Sequence, residues 1–340
     1  MNDDLKPFLD LIADGRTLSI DEAEAAFNVI MSGDAAESQI GAFLMGLRMR
    51  GETVDEITGA VRTMRAKATM ISAPDNAMDI VGTGGDGVGT YNISTGTAFV
   101  VAGCGVPVAK HGNRAVSSKS GASDVLSVLG VNLDAEFSLI EKAIVEVGIG
   151  FMMAPRHHSA MRFVGPVRAA LGVRTIFNIL GPMSNPAGVK HQCIGVYAKE
   201  LAEPMARTLM NMGCEAAWVV HGSDGLDELT TTGPTHVVAL KDRKISQFDV
   251  SPEDACLPIA SANDLEGGDA QVNADAIHWL FAGGKGPYRD IVVFNAAASL
   301  VVAGVADDLK QGAAMAQAAI DDGKALAALD GLIKITNSAA

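Results

Sequence analysis

Two glycine- and serine-rich segments constrain this chain more than anything else in it. The first reads DIVGTGGDGVGTYNIST, Asp79 to Thr95, and the second KHGNRAVSSKSGASDVL, Lys110 to Leu126. Each follows a short apolar run and precedes a helical pattern, so the chain must build two strand–loop–helix units. Glycine frees backbone N–H groups, the hydroxyls add donors, and Lys110, Arg114 and Lys119 add positive charge in the second segment. Helix N-termini fed by such loops are ready-made anion sites. One loop carries an acid, Asp86, and the other is basic, which suits a ligand with several phosphates together with a metal ion.

Gly82, Gly84 and Gly87 also satisfy G-x-G-x-x-G, the dinucleotide fingerprint, after a strand-like run from Met78 to Val81. That fingerprint requires an acidic residue about twenty positions on, at the end of the next strand, to hold a ribose hydroxyl. Here the next strand is VPVA and Lys110-His111 follows it, with no carboxylate near. Asp86 would repel a pyrophosphate lying directly on the backbone unless a cation intervened. The nicotinamide reading therefore ranks below phosphate plus metal. A tight turn alone explains the glycines but not the hydroxyl and basic residues around them.

The 340 residues suffice for roughly two domains with sizeable cores. At 48% hydrophobic residues the chain is globular, and a net charge of −14 argues against nucleic acid as a partner. The charge is uneven: residues 110–174 hold eight Lys/Arg against five Asp/Glu. An acidic protein with a basic segment beside phosphate-type loops fits an enzyme acting on a small anion. Cys104, Cys193, Cys214 and Cys256 are scattered without a C-x-x-C, which suggests neither disulfide framework nor zinc site. The start MNDDLKPF lacks a signal-peptide pattern. The longest apolar stretch, Ile291 to Ala306, is short for a membrane span and is interrupted by Asn295 and Ser299. No membrane association and a reduced, cytoplasmic location are expected.

The fold class expected is α/β, with a small all-helical N-terminal domain ahead of a larger α/β domain whose central sheet is mainly parallel. Residues 1–72 read as four short helices. Capping boxes stand at Ser19…Glu22, Asp34…Glu37 and Thr53…Glu56, and Gly33 and Gly51 sit where helix C-termini want a left-handed residue. From 73 to 340, β-branched runs alternate with helical stretches. Strands are expected at Asp79–Val81, Val106–Ala109, Ile149–Met152, Gln192–Val196, Ala217–Val220, His236–Leu240 and Lys244–Val250, and alanine-rich helices from Asn273 onward. A returning helical segment near 157–180 is allowed to join the first domain. In such sheets ligands sit at the carboxyl ends of strands, where both glycine loops lie.

Three further constellations stand out. His157-His158 point different ways on a helix, so a pocket lining or cap is a better reading than a shared metal. Arg168, in GPVRAALG, has only apolar neighbours. It is either an exposed structural arginine or a guanidinium held to receive a carboxylate. Asp227-Glu228 follow the strand AAWVV in HGSDGLDELTTTGPT. A surface turn is the bland reading, but Mg²⁺ on phosphates is usually held by one or two carboxylates.

The segments GTGGD, NIST, KHGNRAVSSKSG, GVRTIFNILGPMSNP and HGSDGLDE, in this order and spacing, resemble anthranilate phosphoribosyltransferases over nearly the whole chain. The resemblance implies transfer of the phosphoribosyl group of 5-phosphoribosyl 1-diphosphate to anthranilate in tryptophan biosynthesis, with Mg²⁺ required. It implies that Gly82, Gly85, Asp86, Thr90, Asn92, Ile93, Ser94 and Thr95 line the phosphoribosyl diphosphate site. Lys110, His111, Gly112, Asn113, Arg114, Ala115, Val116, Ser117, Ser118 and Ala122 would wrap the same substrate. Gly82, Asn113 and Arg168 would hold anthranilate, and Ser94, Asp227 and Glu228 would bind magnesium. It implies a homodimer; the aromatic amine is neutral at pH 7, so no residue is assigned as acid or base. The family often has serine at 122, with Ser123 adjacent here, and proline at 159, where this chain has serine. Two rivals are a pyrimidine nucleoside phosphorylase-like enzyme, which uses a different glycine motif, and a non-catalytic nucleic-acid-binding relative. The latter should lose the carboxylate pair and gain positive charge.

Overall fold

The computed structural model describes residues 4–114 and 120–339. Helices α1 (Lys6–Ala13), α2 (Ile20–Ser32), α3 (Glu37–Arg50) and α4 (Val54–Ala66) come first. The boxes at Ser19 and Thr53 form as expected: the Ser19 hydroxyl accepts from Glu22 N at 3.3 Å and Glu22 Oε2 accepts from Ser19 N at 2.9 Å, with the same pair of bonds at Thr53 and Glu56. The box expected at Asp34 does not form. Gly33 turns left-handed (φ 84°) and Asp34 N donates back to Val29 O, so Asp34 belongs to the end of α2. Helix α3 starts three residues later than that box would place its cap, and Gln39 Oε1 accepts from Ala36 N at 3.1 Å.

After Pro74 the chain runs β1 (Met78–Gly82), α5 (Ile93–Gly103), β2 (Val108–Gly112), α6 (Ala122–Val128), α7 (Phe137–Glu146), β3 (Ile149–Met153), α8 (Ala154–His157), α9 (Gly165–Leu171), α10 (Phe177–Met183), β4 (His191–Gly195), α11 (Ala202–Asn211), β5 (Ala216–Gly222), β6 (Thr235–Lys241), β7 (Lys244–Val250), α12 (Ala270–Phe281), α13 (Pro287–Val302), α14 (Leu309–Asp321) and α15 (Lys324–Thr336). The strands form one sheet in the order β3-β2-β1-β4-β5-β6-β7, parallel from β3 through β5 and antiparallel at β6 and β7. All seven expected strands are present. β2 begins and ends later than expected because Lys110, His111 and Gly112 continue it, paired with Phe151, Met152 and Met153 of β3.

Both faces of a mainly parallel sheet are covered, as such sheets require. One face packs against α5 and the helices from α12 onward, with Phe99, Ile277, Phe294 and Leu329 in the core. The other face, with Ile194, Val219 and Val238, shares a core with Phe27, Phe43 and Leu47 of the first helices and with Val164, Val167 and Leu180. Helix α13 is buried on nearly every side. No helix among the described residues is long and apolar enough to cross a membrane.

Candidate active site

The parallel order places β1 between β2 and β4, whose connections leave in opposite directions, and this is where open α/β sheets bind ligands. Two loops meet at the carboxyl ends of these strands, 83–92 after β1 and 223–234 after β5, beside the end of β2 at Gly112. Gly84, Gly85, Gly87 and Gly89 all have positive φ, so this stretch needs glycine for its path and presents backbone rather than side chains.

Asp227 and Glu228 are set into this meeting point. Asp227 is 8% exposed, and its Oδ2 accepts from Gly84 N at 2.6 Å. Glu228 Oε1 accepts from Ser94 N, 3.2 Å away in the first turn of α5. The next residue, Leu229, has both backbone groups bound by Asn295 of α13: Asn295 Oδ1 accepts from Leu229 N at 2.9 Å, and Asn295 Nδ2 donates to Leu229 O at 2.8 Å. The pair is therefore tied to both ends of the first glycine loop and is not a free surface turn. Burial raises the proton affinity of both carboxyls, with Asp86 adding to it at Asp227 and Asp227 adding to it at Glu228.

Lys110 answers this charge from below. It is 2% exposed, and its Nζ donates to Ile80 O at 2.5 Å and to Ser94 Oγ at 3.3 Å. Burial pulls its pKa down, and Asp79, Glu228 and Asp227 pull it back up. Asp79 is wholly buried. Its carboxylate accepts from His111 N at 3.1 Å and from Asn185 Nδ2 at 2.8 Å, and burial pushes it up to about 6.

These positions correct two expectations. Lys110 and His111 are consecutive strand residues in a sheet covered on both faces, so both side chains are buried rather than presented from a loop. The His111 ring meets Gly181 O at 3.2 Å and lies edge-on to His158. Asn113 and Arg114 are exposed just beyond, with Asn113 Oδ1 accepting from Arg114 N. Ala115, Val116, Ser117, Ser118 and Lys119 lie outside the described residues. Gly112 leaves room for the Phe151 ring and has Ala122 nearby, while the hydroxyl of Ser123 is fully buried. Thr90 bridges to Glu266, Asn92 Oδ1 accepts from Asn273 Nδ2 at 2.7 Å, and Ile93 and Thr95 are buried in α5.

Arg168 starts from the Gly-Pro turn of α9 and is half-buried, its guanidinium 5.7 Å from the centre of the Phe177 ring. Burial lowers its pKa. His157 and His158 turn to different neighbours, the His158 ring lying edge-on to His111. His157 Nδ1 lies 2.7 Å from Thr69 O, and its ring stacks on Phe137. Sequence reasoning passed over Asp79, Asn185, Asn295 and Arg174. A polar residue inside an apolar run was the available signal for Asn295 and Asp79. Arg174, inside GVRT, donates from Nη2 to Gly85 O and lies 4.0 Å over the Tyr197 ring.

Among the described residues no set of three or more His, Cys, Asp or Glu side chains could hold a metal by itself. Two buried carboxylates with raised proton affinity, with Asp86 beside them, instead suit a hard cation shared with phosphate oxygens.

Residues 74–326 match the glycosyl transferase family, a/b domain, and residues 6–68 its helical bundle domain. Fold and site together thus define a glycosyl-transferring enzyme. The anthranilate phosphoribosyltransferase of Rhodospirillum rubrum is 60% identical over 99% of this chain and 97% of its own. The crystal structure of anthranilate phosphoribosyltransferase from Thermus thermophilus superposes with a TM-score of 0.93 at 39% identity, covering 97% of this chain and 99% of that one. The Saccharomyces cerevisiae enzyme in complex with PRPP and Mg gives 0.90 at 27% identity, covering 98% of each. This chain belongs to the anthranilate phosphoribosyltransferase family.

Proposed function

We infer that this chain transfers the phosphoribosyl group of 5-phosphoribosyl 1-diphosphate to the amine of anthranilate, giving N-(5-phosphoribosyl)anthranilate and pyrophosphate in tryptophan biosynthesis. The observation that carries the reading is the seating of Asp227 and Glu228 on Gly84 N and Ser94 N, at the roots of the first glycine loop. Displacing pyrophosphate builds positive charge on the ribose and negative charge on the leaving group. The protein's task is to position the reactants and neutralise that leaving group.

In this reading Gly82, Gly85, Asp86, Thr90 and Asn92 to Thr95 line the phosphoribosyl diphosphate site, and Lys110 to Ser118 with Ala122 take part in binding the same substrate. Lys110 acts from beneath, holding Ser94 Oγ. Asp227, Glu228 and Ser94 are the residues that would hold Mg²⁺, which when bound neutralises the diphosphate. Gly82, Asn113 and Arg168 receive anthranilate, Arg168 through its fork onto the carboxylate. The aromatic amine is neutral at pH 7, so no strong base is required. Residues 1–72, joined by the segment near 157–180, form one domain in this reading and the rest of 73–340 the other; the joining is supported by the core that Phe27 shares with Val164 and Leu180, which continues into Ile194 and Val219 of the sheet. A cytoplasmic homodimer completes it. Anthranilate fluorescence should fall only when 5-phosphoribosyl 1-diphosphate and Mg²⁺ are both added. An unchanged signal with the folded protein would overturn the assignment.

A further inference from the structure

The loop from Thr83 to Tyr91 has a backbone that glycine leaves loose, yet it follows one defined path. Its first residue is fixed by the sheet: Thr83 N donates to Gly195 O at 2.9 Å, and Thr83 Oγ1 accepts from Tyr197 N at 3.1 Å. Gly84 is fixed by Asp227. Gly85 is held from the opposite bank, where Arg174 donates to its carbonyl oxygen. The Arg174 side chain is exposed, so this bond is not a by-product of burial. It is braced on two sides. The guanidinium lies 4.0 Å over the Tyr197 ring, and Arg48 Nη1 of α3 donates to the Arg174 carbonyl at 2.6 Å. Arg174 follows Arg168 in the same short stretch, separated from it by the left-handed Gly172.

We propose that Arg174 is a positioning residue that clamps Gly85 and so holds the 84–87 turn in the shape that receives the diphosphate. The clamp ties that turn to the stretch carrying Arg168 and, through Arg48, to the first helices. Losing it frees Gly85 and with it the positive-φ Gly87, while Gly84 stays on Asp227 and Gly89 O on Gly267 N, and the ordering that the freed turn then requires falls on substrate binding. This role rests on the transferase reading, so wild-type turnover of anthranilate with 5-phosphoribosyl 1-diphosphate and Mg²⁺ is established first. If that fails, the reading fails and the clamp is not what was tested.

The experiment compares Arg174→Ala, Arg174→Lys and Tyr197→Leu with wild type, by steady-state kinetics and by hydrogen exchange followed in the 83–91 peptide. Arg174→Ala should raise KM for phosphoribosyl diphosphate about tenfold, as loss of one charge-assisted bond would. Its kcat should be little changed, and at saturating phosphoribosyl diphosphate its KM for anthranilate should stay near wild type. Exchange in 83–91 should quicken while the β1 peptide stays protected. Arg174→Lys should recover only part, since a point charge cannot keep both the carbonyl bond and the ring contact. Tyr197→Leu should show a weaker form of the same pattern, and it carries the test if Arg174→Ala does not fold. Unchanged exchange in 83–91, or an equal rise in both KM values, would overturn the proposal, the latter pointing to damage across the 165–183 stretch.

Discussion

Gly82 and Gly195 face each other at the carboxyl ends of β1 and β4, and Asp227 fills the space that a side chain on either would need. A Cβ on Gly82 would lie 2.2 Å from Asp227 Oδ2, and one on Gly195 would lie 1.5 Å from Asp227 O. The first clash is with a carboxylate that can swing, and the second is with backbone. Gly82→Ala should therefore fold and need more Mg²⁺, whereas Gly195→Ala should lose stability, by about 1–3 kcal/mol from overpacking or more. Melting curves and Mg²⁺ titrations separate the two. Equal melting temperatures would contradict the backbone clash.

Asp227→Asn keeps an acceptor for Gly84 N while removing a charge that burial and Asp86 both disfavour. The variant should melt no lower than wild type, yet require at least about tenfold more Mg²⁺ for turnover. Because the raised proton affinity of the pair opposes metal binding, the wild-type Mg²⁺ requirement should climb as pH falls through and below neutrality. A requirement flat with pH would speak against these carboxylates as ligands.

Lys110 is the cation buried under Asp79, Asp227 and Glu228. Lys110→Met should cost about 3 kcal/mol or more, since it leaves buried carboxylates without a partner. It should also release Ser94, weakening Mg²⁺ and phosphoribosyl diphosphate binding together. A Lys110→Met protein that melts with wild type would return this lysine to a direct phosphate contact.

Arg168→Ala should raise the anthranilate requirement about tenfold or more and leave phosphoribosyl diphosphate binding nearly unchanged, with Arg168→Lys rescuing only in part. Separate titrations of each substrate decide it. A folded Arg168→Ala protein with normal anthranilate affinity would leave the guanidinium a packing role against Phe177.

His111 and His158 are held neutral by burial, their pKa values pushed down to about 3 and about 4, and His157 is lowered too. A depressed histidine favours the folded state above its unfolded value of about 6.5. That stability is lost as pH falls from there towards the folded values, at no more than about 1.4 kcal/mol per pH unit per histidine. Asp79, raised to about 6, acts in the opposite sense, because its folded state gains protons over the acid range. His158→Gln should therefore lose less stability than wild type on acidification. Identical pH slopes in denaturant melts would show that His158 does not titrate on unfolding.

Much of this was legible in the residues. Glycines at 84, 85, 87 and 89 mark the first loop because few other residues tolerate its backbone angles, and Ser19 and Thr53 announce helix starts through bonds made within four residues. What stayed hidden depends on partners far away in sequence. Lys110 looked like a loop cation until β2 was paired with β3, which buried it. Asp34 matched a cap by spacing, but the left-handed turn at Gly33 assigned it to the preceding helix. Asn295 was visible as a polar break in an apolar run, yet only the folded chain shows that it holds Leu229. Arg174 finds Gly85 across 89 residues of chain, which no local pattern encodes.

Helix α13 also shapes how the chain can be made. A ribosome that has passed Val250 has synthesised all seven strands and both glycine loops, but α5 still lacks α13 and α15, the helices it packs against most, and the Phe281 ring that meets Phe99. Until the last helices emerge, that apolar face stays open and Asn295 is not there to seat Leu229, so this half of the core must close late, after the strands it covers. A message cut short upstream of Pro287 would yield a polypeptide bearing every phosphate-loop motif and prone to aggregate. For this chain, ligand-binding sequence is translated well before the support that makes it a site.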